Sequence, residues 1–235
     1  MTVAAATFAE VLDAVREQTA LLLGTTIPFD EEDWATPARL RGWTRSHIAA
    51  HLVEGALSMS RLLATGGREG LVPLPQRRLR LERWALTPGL ELQIQLDEAS
   101  GALQHALSEL EGDSRPMPVA FGWSTLAQNL PLVRLREVVL HHHDLAGERP
   151  IDLPTPVVID LLRLERDRPR AVPLPPVLLV SDEGYSTRIG LTDEDVTTVI
   201  GPVLDLFLWV ARGVVAPSLS GAGDPPAPEP EPAGH

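Results

Sequence analysis

Cysteine is absent from the 235 residues, lysine is absent as well, and tyrosine occurs once. Without cysteine the chain forms no disulfide, offers no thiolate to a metal and holds no thiol nucleophile. Any sulfur chemistry must therefore use a thiol brought in as cosubstrate. Because lysine is missing, all 20 basic residues are arginine. Beside the abundant Ala, Pro and Gly this suggests a GC-rich genome, a matter of codons rather than mechanism. Positive charge is scarce overall: the formal net charge is −12, which argues against nucleic acid or an anionic membrane surface as partner, since both reward a basic face. Long apolar runs are missing too, and the N-terminus MTVAAATFAEVLDAVREQ carries acids where a secretion signal would carry basic residues and then an apolar block. The expected location is the cytoplasm, with no membrane partner. What remains is 44% hydrophobic, enough for a real core in one large domain, or in one of ordinary size plus a small one.

The apolar periodicity of Phe8 to Leu23 predicts an amphipathic first helix, ended by Pro28 and the acid-rich FDEEDWATP, a loop in which Trp34 packs inward. A second long helix is predicted over Leu40 to Ala64, capped by Thr44, with Ile48, Leu52, Ala56, Met59 and Leu63 as its apolar stripe. His47, His51 and Ser58 border that stripe. After a Gly- and Pro-punctuated loop comes the Arg-rich QRRLRLERW, read as helical. Pro88 opens a third long helix running to about Glu111, with Leu90, Ile94, Ala99, Leu103, Ala106, Leu107 and Leu110 as expected core positions. EGDSRPMPVAFGW reads as a loop leading into a fourth helix, LPLVRLREVVLHHHDLAG, in which Pro131 falls near the first turns.

Beyond Gly147 prolines break the helix. Val157 to Arg166 reads as a short helix, PRAVPLPP as a linker or edge loop, VLLVSDEGYSTRIGL as two short strands about a turn, and Gly201 to Gly213 as a final helix. The fold class is mainly α: a metal-binding four-helix bundle over residues 1–149, a small α+β C-terminal domain over 150–215, and a Pro-rich tail, 216–235, expected to be disordered.

The chemistry gathers on the fourth helix. At 100° per residue Arg134, Glu137, His141 and Asp144 fall within roughly an 80° arc. Glu137 and His141, at i and i+4, can hold two corners of a metal site. A helix with such residues is also commonly a solvated ion-pair surface, and His47 and His51 can equally be histidines at the core edge. Against the bland reading, five of the seven histidines fall on the second and fourth helices. His51 with Glu137 and His141 would make a two-imidazole, one-carboxylate set suited to zinc, with one coordination position open for water or substrate. His142 and His143 point away from the stripe and are left out of the site. A metal there would lower the pKa of a bound thiol and so make the nucleophile the chain lacks.

GWTRSHIAAHL at Gly42 to Leu52 and REVVLHHHDL at Arg136 to Leu145 resemble the paired motifs of the mycothiol-dependent maleylpyruvate isomerase family, DinB-like metal-binding helical bundles with a C-terminal domain of sterol-carrier-like shape. The resemblance implies zinc, or a related divalent metal, on His51, Glu137 and His141, with His47 a neighbour rather than a ligand. It implies mycothiol as thiol cosubstrate and a small anionic or electrophilic substrate. The implied reaction is a thiol-assisted cis to trans isomerisation in which a mycothiol thiolate on zinc adds to the double bond of maleylpyruvate, the bond rotates, and elimination gives fumarylpyruvate. WVARG at Trp209 to Gly213 looks like the place where the family carries a functional arginine, which makes Arg212 an expected anion contact. From the Arg77, Arg78, Arg80, Arg83 cluster, Arg83 joins Arg212 as an expected catalytic residue, while Arg80 and Arg134 are expected at the cofactor, Arg134 having a salt bridge to Glu137 or Asp144 as its other explanation. Two further readings stay open: a mycothiol S-transferase that leaves the thiol on an electrophile, and a non-catalytic helical bundle that binds a ligand or protein partner.

Overall fold

In the computed structural model the described residues are 4–68, 71–120, 123–147, 150–169, 176–190 and 196–223. The protein is mainly α, and its chain divides into two compact units: Val11–Ile151, and Asp152 onward together with the first residues up to Glu10. No helix among the described residues is long and apolar enough to cross a membrane.

The first unit is built on long helices: α1 (Phe8–Thr26), α3 (Arg45–Thr65), α5 (Gly89–Ser108) and α6 (Leu130–Ala146), with the shorter α2 (Glu31–Ala35) and α4 (Leu74–Ala85) between them. Helix α3 is its hub, packing against α2, α4, α5 and α6. The acid-rich segment expected as a loop forms α2 instead, because Asp30 and Asp33 close a capping box around its first turn and Trp34 is buried beneath it. Helix α5 starts directly after Pro88, as its sequence suggests, and its core face is the expected one from Ala99 onward but not before it. Leu90 and Ile94 are exposed, whereas Leu92, Leu96, Ala99, Leu103, Leu107 and Leu110 are buried. The buried set keeps steps of three or four residues throughout, whereas a stripe through Leu90 and Ile94 needs a step of five to reach Ala99. EGDSRPMPVAFGW, expected as a loop, holds strand β1 (Pro116–Ala120) and opens strand β2 (Trp123–Leu126), which pairs with it antiparallel, with Met117 as the buried anchor.

In the second unit α7 (Thr155–Asp167) and α8 (Val203–Arg212) pack together, and a three-stranded sheet has the order β4 (Ser186–Ile189), β3 (Val177–Ser181), β5 (Thr197–Gly201). The expected two strands are β3 and β4, antiparallel across the turn at Gly184. Strand β5 was not anticipated. It pairs parallel to β3, a nonlocal register that no local sequence signal reports. Helix α8 presents Val203, Leu206, Phe207 and Val210 to the core.

The tail requires a correction. Residues 216–223 are not an unstructured extension: Ser220 exchanges two backbone hydrogen bonds with Ile200 at 2.8 and 2.9 Å, and Ser218 Oγ donates to Asp205. Gly221 makes this possible, since its φ of 75° suits glycine and a Cβ there would collide with the Thr198 carbonyl. The remainder of the Pro-rich tail and most of PRAVPLPP lie outside the described residues.

Two glycines of α5 have opposite surroundings. A Cβ on Gly89 would lie 2.6 Å from the Trp34 indole nitrogen, while one on Gly101 would meet nothing within 4 Å. Gly89→Ala is therefore expected to lower stability by about 1–3 kcal/mol through overpacking. Gly101→Ala is expected to raise it by about 0.5–1 kcal/mol through helix propensity. Urea unfolding of the two variants beside the parent checks both signs.

Candidate metal centre

The segment preceding α3 is shaped before it reaches any chemistry. Thr44 caps the helix, and His47 turns back so that its Nδ1 accepts the Thr44 N–H at 3.2 Å and the Thr44 hydroxyl at 2.8 Å. This arrangement puts the His47 proton on Nε2, which faces Glu82 Oε2 at 3.7 Å. His47 takes part in this cap. Arg45 reaches Asp33, and Ser46 Oγ donates to the Trp34 carbonyl. One turn after His47, His51 is presented toward α6, with the Trp43 ring 5.6 Å from its own, centroid to centroid.

Helix α6 is buried along nearly its whole length, with Arg134, Arg136, His141, His143 and Asp144 among its buried residues. The expected trio meets. His51 Nε2 lies 3.1 Å and His141 Nε2 3.5 Å from the same carboxylate oxygen, Glu137 Oε2. One donor atom from each of the three residues falls within 4.8 Å of the others. The imidazole rings stand edge to face at 4.6 Å. On the far side of its ring, His141 Nδ1 is 3.1 Å from Asp144 Oδ2, and both side chains are fully enclosed. A buried carboxylate on Nδ1 fixes the ring and directs Nε2 at Glu137, the support that metal-bound histidines ordinarily have. The other oxygen of Glu137, Oε1, accepts a 2.7 Å bond from Arg136, whose guanidinium is 6% exposed. Burial of the Glu137 carboxyl would raise its pKa, but the bonds to His141 and His51 and the charge of Arg136 outweigh this and hold it well below its ordinary value. Two imidazole nitrogens and one ionised carboxylate oxygen, converging from two helices, form a donor set that fits a divalent metal of the zinc type.

The expected arginines fare differently. Arg134 lies on the Glu137 side of the wheel, yet its guanidinium donates to the Leu52 carbonyl at 3.1 Å and to Ser100 Oγ at 3.2 Å, inside the contact of α3, α5 and α6. Desolvation lowers its pKa to about 10. It is committed to the core, so the expected cofactor role is withdrawn: a side chain long enough to cross the seam satisfies backbone there instead of facing a ligand. Arg80 donates to Glu54 Oε1 at 3.2 Å, the same oxygen that receives Ser58 and Arg61. Arg83 is exposed on α4. Arg212 ends α8 in the second unit and donates to the Ala211 carbonyl. His142 and His143 are bonded away from the trio, to Thr25 and Arg39 respectively. A cavity of about 400 Å³ beside them, lined in part by Leu21, Val139 and Ile151, includes none of the three metal-ligand candidates.

Three contributors were not anticipated. Trp43 was available as part of the GWT motif. Arg136 was available only as the residue preceding Glu137, and Glu54 only as a buried acid one turn beyond His51.

The geometry agrees with comparison to known proteins. Residues 12–146 match the family model described as the mycothiol maleylpyruvate isomerase N-terminal domain. Among solved structures, the crystal structure of the mycothiol-dependent maleylpyruvate isomerase superposes with a TM-score of 0.79 at 20% identity, covering 94% of this chain and 97% of that one. A histidine-to-alanine mutant of that isomerase gives the same figures. No curated protein sequence matches the chain. With more than half of its length matched by the family model, this chain belongs to the mycothiol maleylpyruvate isomerase N-terminal domain family.

Proposed function

We propose that this protein is a mycothiol-dependent enzyme of isomerase type, acting on a small electrophilic substrate with a cis double bond. The observation that carries the proposal is the convergence of His51, Glu137 and His141 in a chain with no cysteine. These three residues would hold a zinc-type divalent ion. Such an ion, when bound, supplies positive charge that keeps an incoming thiol ionised at neutral pH.

The chain's own residues do the rest by placement. Asp144 holds His141, Arg136 holds Glu137, and Trp43 packs against the His51 ring. Maleylpyruvate is the substrate named for the isomerase of like fold, and it is the first candidate here. In the reaction the sulfur of the thiol adds to one carbon of the conjugated double bond, the former double bond turns as a single bond, and expulsion of the same thiolate leaves the trans isomer. The thiol is returned unchanged. Carboxylates of such a substrate need cationic partners. Arg83, exposed on α4, is proposed for that task, with Arg80 paired to Glu54.

Three outcomes are expected. Purified protein contains about one equivalent of divalent metal by mass spectrometry, His51→Ala loses it, and Asp144→Asn weakens it by about 10- to 100-fold in chelator competition. Turnover of maleylpyruvate, followed by absorbance, requires added mycothiol, and turnover in thiol-free protein would remove the thiol from the mechanism. Mycothiol is not consumed over many turnovers. Its stoichiometric loss would instead favour transfer of the thiol to substrate.

A further inference from the structure

Glu137 has two oxygens, and the structure uses them differently. Oε2 faces both imidazole nitrogens, His51 Nε2 at 3.1 Å and His141 Nε2 at 3.5 Å. Oε1 faces away from them and accepts from Arg136 NH1 at 2.7 Å. Arg136 comes from the same helix, one residue earlier, and its guanidinium is 6% exposed, so water is a poor substitute for the carboxylate. A charge-assisted bond of this length, shielded from solvent, is among the strong ones a protein makes.

We infer that Arg136 is a positioning residue that restricts Glu137 to one ligating oxygen and so keeps a coordination position open beside His51 and His141. The inference rests on the metal reading of these three residues. A carboxylate can bind a divalent ion through one oxygen or through both. With both, the two imidazoles and Glu137 alone would supply four donor atoms, and a zinc-type ion would have its preferred number filled by protein. With Oε1 held by the guanidinium, the protein supplies three, and the fourth place falls to an exogenous ligand. Charge acts in the same direction. Glu137 neutralises one positive charge of a divalent ion, and Arg136 restores one within hydrogen-bond distance of the carboxylate. The centre as a whole therefore favours an anion as its last ligand, and a thiolate is one.

The role differs from that of Asp144. Asp144 orients a ring that has only one available nitrogen, whereas Arg136 selects between two equivalent atoms of one ligand. Removing the first should loosen the metal. Removing the second should not loosen it but change how many donors the protein gives.

Cobalt(II) in place of the native ion reads this directly, since four-coordinate cobalt absorbs visible light several-fold more strongly than five-coordinate cobalt. The parent protein with cobalt and added mycothiol is expected to show intense bands, and Arg136→Met bands several-fold weaker, with metal affinity within about threefold of the parent and mycothiol affinity about tenfold lower. Arg136→Lys, which keeps the charge and one donor, should recover most of both signals. Equal spectra and equal mycothiol affinity in the parent and a folded Arg136→Met overturn the inference. Zinc-edge X-ray absorption of the parent protein needs no variant, so it decides the matter even if Arg136→Met does not fold. One carboxylate oxygen bound to zinc supports the inference, and two overturn it while leaving the metal site intact. Absence of metal binding in the parent overturns the site and the role of Arg136 together.

Discussion

An ionised carboxylate cannot be half-buried between helices without partners, and the first unit of this protein meets that requirement at Glu137. Desolvation pushes the group toward its neutral form, and only donors on both of its oxygens reverse the sign. Those donors come from α3 through His51 and from α6 through Arg136 and His141. The demand then propagates. His141, itself enclosed, is held by Asp144, and the Asp144 backbone carbonyl accepts from the Arg39 amide ahead of α3. A protein seeking stability alone would gain by filling this seam with apolar side chains, since enclosed ion pairs rarely outperform them. That the seam is polar points to a use for it.

The same network explains why two motifs far apart in sequence occur together. In GWTRSHIAAHL, Thr44 and His47 close the helix start, Arg45 and Ser46 tie it to α2, Trp43 packs on His51, and only His51 reaches the centre. In REVVLHHHDL, Arg136 and Asp144 hold the ligands, and His143 receives a 2.7 Å bond from Arg39, which lies on the loop before the first motif. Because Arg39 is always charged, it must donate, so His143 Nε2 is the acceptor. Most of the residues that make the motifs recognisable thus hold the two helices at the separation the three donor atoms need.

This division explains what could be read in advance. The convergence of His51, Glu137 and His141 was legible because helical geometry is rigid: Glu137 and His141 four residues apart share a face, and His51 borders the apolar stripe of its own helix. The fate of the arginines was not legible, because a side chain with several rotatable bonds does not obey the wheel. Arg134, on the stripe, reaches sideways to α3 and α5, while Arg136, off the stripe, folds back onto its immediate neighbour. In the fold, the long helices followed from periodicity, but LELQIQL places apolar residues at every second position and so left the α5 face ambiguous. Pairings distant in sequence, β5 with β3 and Ser220 with Ile200, had no local signal at all. Proline-rich composition misled at both the β1–β2 pair and the start of the tail, since proline at a strand edge costs little where its missing N–H would have faced solvent.

Charge gives the last constraint. A chain of net charge −12 repels an anionic substrate at long range, but at physiological salt that field decays within about 8 Å, so what matters near the centre is the local balance. There the arginines are paired with carboxylates. Arg136 is enclosed against Glu137, and Arg61 and Arg80 converge on a single oxygen of Glu54, itself buried one turn beyond His51 on α3. Two guanidinium groups on one carboxylate oxygen leave an excess of positive charge and unused donors, whereas a one-to-one pairing would cancel. Glu54 therefore gathers the positive charge of Arg61 and Arg80 at one place on α3, one turn beyond His51.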